Sequence, residues 1–431
     1  MSGLADRIRG IVGSAVAQPS RIAGLSDRTD PPSRSELSGL EQLLGGVWRQ
    51  HVAPSCFVVE RRFDPSVSYG SARVGDFAVR LAAAAADAPM LAGGTPAPPP
   101  FVYLDLETTG LSGGAGTHAF LVGCGWFDEE DGFVTRQYLM TRHADERPML
   151  AAVSGELASA GALVSFNGKS FDVPLLETRY LFHRFEWCAG RLPHLDVLHP
   201  ARRFWGPRAS PDAGRGAESS CSLLSLEHHV LGARRIGDVA GFEIPVRYFQ
   251  FVRSGDARPL AAVLEHNRLD LLSLAGLTAQ LLHLVRTGVG AARDAREALA
   301  LGCVYSRAGL DGRSREAYER AASGSMRLVT ISALRELALA ARRARRYDDA
   351  AGCWQRLLDI SGCPPLVARE ASEALAIHHE HRVRDLEAAK MFALKSLESG
   401  QQRAWTEAVH HRLARIERKI AVSGMNERRL L

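Results

Sequence analysis

Runs of apolar residues, broken by turn-forming residues, mark strands in the middle of the chain. Three such runs follow one another closely at Phe101–Glu107, Ala119–Phe127 and Phe133–Met140. Each run has the length of a strand and is bounded by turn signals, so the pattern predicts a three-stranded meander. The meander opens directly after a break at Gly93–Pro100, where Gly, Pro and Ala crowd together.

After the meander, strand-like and helix-like patterns alternate. Two further strands are predicted at Ala162–Phe166 and His194–Leu198, and Gly206–Ser220 is predicted to be a loop. The helices are predicted at Arg147–Ala160, Ser170–His183, Ser222–Leu231, Val246–Ser254 and Pro259–Leu284. Strands that first cluster and then alternate with helices indicate an α/β domain with a mixed sheet flanked by helices.

Beyond about residue 290 the strand patterns stop, and alanine-rich helical segments recur in pairs. The second helices of two pairs are alike, because Arg315–Arg320 resembles Ala351–Arg356 at an offset of 36 residues. A two-helix repeat near this period indicates tetratricopeptide-like or related helical hairpins. The predicted pairs are Ala295–Ala308 with Ser314–Ala322, Thr330–Arg345 with Asp348–Asp359, and Leu366–His379 with Leu386–Glu398.

These patterns divide the chain into four segments. Residues 1–36, rich in Ser, Arg, Pro and Gly, are expected to be a flexible leader with one short helix around Leu4–Val12. Residues 37–99 are expected to be an N-terminal extension that packs on the α/β domain, which spans residues 100–286. Residues 290–425 are expected to form the all-α repeat domain.

Composition and charge narrow the class of protein. The 431 residues are 46% hydrophobic, which is enough for two or three cores. The net charge of +5 permits a polyanionic partner, and residues 290–431 hold the basic excess with 25 Lys or Arg against 18 Asp or Glu. Seven scattered cysteines without a CxxC pair indicate a reducing compartment rather than a disulfide framework or a zinc site.

Targeting signals are not apparent in the sequence. Residues Met1 to Gln18 lack the long apolar stretch of a signal peptide. No run approaches the roughly 18 apolar residues that a membrane span needs. We therefore expect a cytoplasmic protein without a membrane partner.

Two carboxylates two residues apart at the end of the first strand are the strongest chemical signal. Asp105 and Glu107 point to the same face, because side chains alternate along a strand. Two such charges repel each other unless a cation lies between them, and hard oxygen ligands favour Mg²⁺ or Mn²⁺. The alternative is an acidic edge strand with two solvated carboxylates.

Two later acidic residues stand in contexts that could complete a metal site. Asp172 lies at the start of a predicted helix, where it could equally be a charge that favours the helix dipole. His266 and Asp270 are four residues apart, so a helix places them on one face, although such pairs are also common on surfaces. Asp196 is a further strand-end carboxylate for which we favour a structural role.

Taken together, these motifs resemble those of the DEDD superfamily of 3′–5′ exonucleases, which have a ribonuclease H-like fold. Leu104–Gly110 is similar to the first motif of that superfamily, Asn167–Asp172 to the second and His266–Asp270 to the third. The resemblance is closer to a bacterial branch of predicted exonucleases with tetratricopeptide-like tails, which Cys221–Glu227 also matches. It covers roughly residues 100–285.

The resemblance implies a two-metal hydrolysis of phosphodiester bonds at a single-stranded end of DNA or RNA. Two Mg²⁺ or Mn²⁺ ions would be held by four carboxylates, with Asp105 between the ions. Glu107 and Asp270 would complete the site on the hydroxide side, and Asp172 would hold the other ion. His266 would take a proton from the attacking water. The residues placed to touch the terminal nucleotide are Thr108, Asn167 and Lys169, each of which could equally be a turn or cap residue.

The third motif departs from the two main patterns of the superfamily. One subgroup has a histidine five residues before the last aspartate, and another has a tyrosine four residues before it. Here a histidine, His266, lies four residues before Asp270. The known spacings therefore do not establish whether the imidazole of His266 reaches the attacking water.

Two non-enzymatic functions compete with a nuclease. One is a catalytically inactive adaptor that binds nucleic acid or protein through its helical repeats, which suit a protein partner. The other is a pure repeat scaffold, which would leave the acidic motifs as coincidence. Four candidate metal ligands favour the nuclease, because a binding module has no chemical need for the complete acidic set.

Overall fold

The computed structural model of the protein describes residues 34–49, 56–110, 116–206, 221–397 and 403–429. The expected helix around Leu4–Val12 and nearly all of the expected loop Gly206–Ser220 lie outside these residues. The first described helix, α1, spans Arg34–Leu44 and so begins inside the segment that the sequence assigned to the leader.

A mixed sheet is the centre of the α/β part of the protein. Within the described residues, seven strands form this sheet in the order β1-β2-β7-β6-β5-β8-β9, and β3 pairs with β4 separately. The strands are β1 Val47–Arg49, β2 Cys56–Phe63, β3 Ser68–Tyr69, β4 Ala72–Arg73, β5 Phe101–Thr108, β6 Ala119–Phe127, β7 Phe133–Leu139, β8 Ala162–Ser165 and β9 His194–Asp196.

The predicted meander forms the middle of this sheet. Strand β5 pairs with β6, and β6 with β7, in antiparallel register. Strand β8 then lies parallel to β5, and β9 parallel to β8. Parallel neighbours need a crossover connection, which the helix Glu146–Ala158 supplies between β7 and β8. The expectation of a mixed sheet flanked by helices is confirmed.

The N-terminal extension supplies part of the same sheet. Strand β2 pairs with β7 over Phe57–Phe63, and β1 continues the sheet beyond it. The extension also contributes the helix Val74–Ala84, which packs on the long helix Arg258–Thr287. Residues 56–63 are therefore integral to the α/β fold.

The helices that flank the sheet include the predicted ones and three further helices, at Val74–Ala84, Ala88–Leu91 and Leu198–Trp205, which the sequence pattern did not predict. The last of these begins inside the predicted strand His194–Leu198, because β9 ends at Asp196. The flanking helices are α2 Val74–Ala84, α3 Ala88–Leu91, α4 Glu146–Ala158, α5 Asp172–Phe182, α6 Leu198–Trp205, α7 Leu223–Leu226, α8 Ile244–Ser254 and α9 Arg258–Thr287. The helix predicted at Ser222–Leu231 is present, but its hydrogen-bonding pattern changes along its length. It is α-helical only over α7, and Glu227–Leu231 form a π-helical turn that ends at Gly232, whose φ of 74° is left-handed.

Helix α9 is the central helix of the core. Its buried leucines, from Leu260 to Leu284, contact the sheet and the surrounding helices. The segment Arg258–Ala291 is the one helix in the described part of the chain that is long and apolar enough to cross a membrane, but 72% of its most apolar window is buried inside the protein. A buried core helix meets the same criterion, so this segment is weak evidence for a membrane.

The C-terminal region consists of helices that pack in sequence order. They are α10 Ala295–Arg307, α11 Asp311–Ala322, α12 Arg327–Arg343, α13 Tyr347–Leu358, α14 Pro365–His378, α15 Leu386–Leu397 and α16 Arg403–Arg429. Leu301, Val304 and Tyr305 of α10 belong to the same hydrophobic core as α9, whereas the later helices share a core of their own around Trp354. The first hairpin therefore joins the α/β core to the remaining helices.

We expect Gly302→Ala to destabilise the protein by about 1–3 kcal/mol. A Cβ atom at residue 302 would lie 2.4 Å from ring atoms of the buried Tyr318, so α10 and α11 would have to separate. Gly352→Ala is the matched control, because Gly352 lies inside α13 with open space around it and alanine favours a helix by up to about 1 kcal/mol. Urea unfolding measures both. Equal effects of the two substitutions would contradict the close packing at Gly302.

Candidate active site

The two strand carboxylates lie near the C-terminal end of β5. Asp105 and Glu107 are both half-buried on one face, while Leu104 and Leu106 on the other face are buried in the core. The pairing of β5 with β6 is irregular between Glu107 and Thr108. Such irregularities are common next to active sites, where they redirect a side chain.

Asn267 of α9 fixes the orientation of Asp105. Its Nδ2 donates a hydrogen bond of 2.8 Å to Asp105 Oδ2, and its Oδ1 accepts one of 2.8 Å from Gln137 Nε2. The helix can approach the sheet this closely because Gly123 lies opposite Asp105 on β6. A Cβ atom at Gly123 would be 2.2 Å from Asn267 Oδ1. The amide of Asn267 is therefore held by β7 while it binds a carboxylate on β5, across the intervening strand β6.

A turn between β8 and α5 places Asp172 at the first position of α5. Asn167 adopts a left-handed φ of 67° in this turn, a conformation that asparagine tolerates. Gly168 lies so close that a Cβ atom there would be 2.4 Å from Ser165 Oγ. Asp196, at the end of β9, accepts hydrogen bonds from the backbone N–H groups of Asn167 at 2.7 Å and Lys169 at 3.1 Å. This bonding confirms the structural role predicted for Asp196.

His266 and Asp270 lie one turn apart on α9, as their spacing predicts. His266 Nε2 lies 3.5 Å from Asp270 Oδ2. His266 Nδ1 lies 2.7 Å from Asp238 Oδ1, and the imidazole side chain is only 10% exposed. The ring is therefore held between two carboxylates, with one nitrogen toward each.

Arg235 is the one arginine or lysine among the described residues that forms an ion pair with the predicted acidic set. Its Nη2 donates to Asp270 Oδ1 at 2.5 Å and to Glu227 Oε2 at 2.6 Å. Its Nη1 lies 3.3 Å from Asp238 Oδ2. Ser273 Oγ donates a further hydrogen bond to Glu227. These contacts connect the segment that follows α7 to the middle of α9, where Asp270 and Ser273 lie.

The predicted carboxylates affect one another electrostatically. Burial raises the pKa of Asp105 well above its usual range, and the charges of Asp270, Glu107 and Asp172 add to this effect. Burial and the charges of Asp270 and Asp172 likewise raise the pKa of Glu107. Burial and the charge of Asp196 raise the pKa of Asp172 to about 7. The fold thus brings the four predicted carboxylates into one site of concentrated negative charge.

The donor atoms of this site suit a divalent cation. Carboxylate oxygens are the ligands that Mg²⁺ and Mn²⁺ prefer, and no described residue forms an ion pair with Asp105, Glu107 or Asp172. Within the part of the chain that the structure describes, no three His, Cys, Asp or Glu side chains form a ready-made metal-binding group. The carboxylate oxygens therefore suit a divalent cation chemically, but the described side chains are not positioned as a complete set of metal ligands.

The three predicted substrate contacts have different surroundings. Thr108 Oγ1 donates a hydrogen bond of 3.0 Å to the Gly110 carbonyl and so supports the turn after β5. Asn167 is half-buried, and its backbone N–H is bonded to Asp196. Lys169 is exposed beside the turn that precedes Asp172. Lys169 is therefore the most accessible of the three side chains.

Sequence reasoning missed several side chains that organise the site. Asn267 lies within the third motif, where its position between His266 and Asp270 was the available signal. Glu227 lies within the segment that resembles the bacterial branch, but no local pattern indicates that it binds Arg235. Asp238 and Arg235 follow no periodicity, because they belong to an irregular connection.

Comparison with known proteins identifies the family. A profile of the RNase H superfamily matches residues 102–282, from the second residue of β5 nearly to the end of α9. The chain is 30% identical over 325 residues to the uncharacterized protein YprB of Bacillus subtilis strain 168, and the alignment covers 74% of each chain. The chain belongs to the RNase H superfamily. An RNase H-like domain followed by a helix-rich region confirms the predicted fold class, and members of the superfamily are generally hydrolytic nucleases that use divalent metals.

We expect the stability of this RNase H-like protein in EDTA to fall as the pH rises from 5 to 8. The folded state raises the pKa of Asp172 from 3.8 to about 7, so it binds the proton more tightly than the unfolded chain. The stabilisation is complete below the unfolded pKa and is lost as the pH passes the folded pKa, at about 1.4 kcal/mol per pKa unit.

Urea unfolding of Asp172→Asn in EDTA tests this pH dependence. The variant should show a flatter dependence than the wild type and greater stability at pH 8. Asp256→Asn is the matched control, because a hydrogen bond with Arg258 lowers the pKa of the half-buried Asp256 to about 2 and the carboxylate stays ionised over this range. An unchanged slope in Asp172→Asn would contradict the proposed burial of that charge.

Proposed function

We propose that the protein is a divalent-metal-dependent nuclease that hydrolyses phosphodiester bonds. The observation that carries this proposal is the convergence of four carboxylates from β5, α5 and α9, of which Asp105, Glu107 and Asp172 have no ion-pair partner among the described residues. Such a concentration of negative charge is costly without a cation. Membership of the RNase H superfamily supports the same chemistry.

The proposed roles of the carboxylates follow from their positions. Asp105, Glu107, Asp172 and Asp270 would hold two Mg²⁺ or Mn²⁺ ions. When bound, these ions supply charge that stabilises the anionic transition state and lowers the pKa of a water molecule. Asn267 keeps Asp105 from rotating away, since its amide donates to one carboxylate oxygen.

We propose that His266 removes the proton from the attacking water. If Nδ1–H donates to Asp238, the lone pair of the neutral imidazole lies on Nε2. Nε2 is the nitrogen that faces Asp270 and the acidic site. Asp238 thus fixes both the tautomer and the ring orientation. The four-residue spacing of His266 and Asp270 therefore remains compatible with general-base catalysis.

The preference for a 3′ end is proposed from the motif resemblance. A 3′–5′ exonuclease must hold the terminal nucleotide beside the metals, and Lys169 offers an exposed ammonium group next to Asp172 for a phosphate. Thr108 and Asn167 complete the proposed nucleotide contacts. We also propose that the protein works in the reducing environment of the cytoplasm, in keeping with its seven free cysteines.

A nuclease assay on 5′-labelled single-stranded DNA and RNA tests the activity. We expect a ladder that shortens from the 3′ end with Mg²⁺ or Mn²⁺ and disappears with EDTA. Asp105→Asn should lower the rate by more than about a hundredfold, because loss even of a residue that supports a metal ligand costs about 10- to 100-fold. Asp256→Asn changes an aspartate that pairs with Arg258 outside the site, so this variant should retain the rate of the wild type.

Other outcomes of this assay are equally informative. Cleavage in the middle of the strand would make the protein an endonuclease. If well-folded protein cleaves neither substrate and gains no stability from metal, the alternative of a catalytically inactive adaptor acting through its C-terminal helices replaces the nuclease.

A basic groove in the C-terminal helices supports binding of a nucleic-acid strand. The groove has a volume of about 830 Å³ and is lined by Glu380, His381, Arg384, Leu386, Arg415, Arg418, Lys419 and Val422. The buried Glu380 holds Arg415 and Lys419 by hydrogen bonds of 2.7–2.8 Å. Arg384 and Arg418 are exposed and form no ion pair with a described residue. The groove thus presents two basic side chains that Glu380 holds in place and two that form no ion pair with a described residue. Four positive charges along a groove suit the phosphates of a nucleic-acid strand.

We expect the double variant Arg384→Glu/Arg418→Glu to bind single-stranded oligonucleotides more weakly than the wild type. Fluorescence anisotropy in EDTA measures binding without cleavage, and the slope of log Kd against log salt should fall by about two, one for each lost phosphate contact. Arg342→Glu/Arg343→Glu is the control with the same change of charge on exposed residues outside the groove. Equal weakening in both variants would exclude a specific role of the groove.

A further inference from the structure

A buried arginine inside the acidic site is the feature that the proposed mechanism does not use. The side chain of Arg235 is only 4% exposed. It forms ion pairs with Glu227 at 2.6 Å, Asp270 at 2.5 Å and Asp238 at 3.3 Å. A buried arginine with three carboxylate partners has its position set by the fold, because moving it would leave several charges unpaired.

The partners of Arg235 are themselves held in place. Glu227 Oε2 accepts hydrogen bonds from Arg235 and from Ser273 Oγ at 2.5 Å. The Tyr69 hydroxyl lies 2.6 Å from Ser273 Oγ and extends the chain of hydrogen bonds to β3. The π-helical turn after α7 carries Glu227, and Gly232 ends that turn three residues before Arg235. The guanidinium therefore cannot leave Asp270 without breaking a network that reaches across the domain.

The four carboxylates of the site are consequently unequal. Asp270 already has a cationic partner on Oδ1, and His266 lies beside its Oδ2. Asp105 receives only the neutral amide of Asn267. A divalent cation that reaches Asp270 meets a carboxylate whose charge is already compensated, as well as a positive guanidinium beside it.

We propose that Arg235 is a built-in counter-cation, which stabilises the metal-free site and competes with a divalent cation for the carboxylate of Asp270. The inference rests on the proposed metal-dependent function. Arg235 is a positioning residue in this scheme, and it sets the cation affinity of the site. Removing its charge should strengthen cation binding and make the fold depend on the cation.

The test compares Arg235→Met with the wild type in two measurements. Calorimetric titration with Mn²⁺ should show binding tighter by about tenfold or more, since one positive charge beside the ligands is gone. Thermal unfolding should show a lower Tm in EDTA and a larger rise of Tm with Mn²⁺. Arg235→Lys keeps the charge and should stay close to the wild type in affinity.

Two further variants keep the test decisive. Arg268→Met is the matched control, because Arg268 is likewise an arginine in an ion pair but pairs with Glu265, outside the acidic site. It should lose stability without any gain in Mn²⁺ affinity. Glu227→Gln/Arg235→Met removes both charges of one buried pair, so it is expected to fold where the single variant does not, and to retain the tighter binding.

The possible results separate this inference from the proposed function. Tighter Mn²⁺ binding in the neutral variants, or folding only when Mn²⁺ is present, supports the counter-cation. Mn²⁺ binding by the wild type with equal or weaker binding in the neutral variants overturns it and leaves the nuclease proposal intact. Neutral variants that fold neither with nor without Mn²⁺ overturn it as well, because Arg235 is then only a structural residue. If neither wild type nor variants bind Mn²⁺, both proposals fail.

Discussion

The close contact between helix α9 and strands β5 and β6 is the constraint on which the site depends. It exists because Gly123 has no side chain where Asn267 enters, and because all the leucines of α9 except the partly buried Leu269 are buried. The amide of Asn267 then binds Asp105, and the neighbouring positions His266 and Asp270 follow on the same helix. A single packing contact thus sets the distance between carboxylates that are far apart in the sequence.

The acidic site balances its charges by unequal means. Asn267 offers Asp105 a hydrogen bond without a charge, whereas Arg235 offers Asp270 a full positive charge. Burial still raises the pKa of Asp270, even though Arg235 and His266 oppose the effect. A neutral donor leaves the charge of a carboxylate uncompensated, whereas a guanidinium compensates it. The difference between these two partners therefore divides the site into an open side on β5 and a compensated side on α9.

The sequence predicted those parts of the site that follow from local periodicity. The alternation of a strand placed Asp105 beside Glu107, and the helical turn placed His266 beside Asp270. Arg235 and Asp238 could not be found in this way, since their positions depend on an irregular connection after a π-helical turn. The hydrophobic pattern also did not assign β2 to the sheet. The pairing of β2 with β7 joins residues 70 to 82 positions apart, which hydrophobic pattern alone does not specify.

The helix-rich region is attached to the RNase H-like domain through a shared core. Tyr305 of α10 donates a hydrogen bond of 2.8 Å to the carbonyl of Val285 in α9, and Arg313 of α11 donates one of 2.9 Å to the same carbonyl. Both bonds satisfy one carbonyl in the last turn of α9, where the long helix ends. A flexible linker would leave that carbonyl to solvent and the apolar faces of α10 uncovered. The first hairpin is therefore a structural continuation of the domain, and it gives the later helices, including the basic groove, a fixed base.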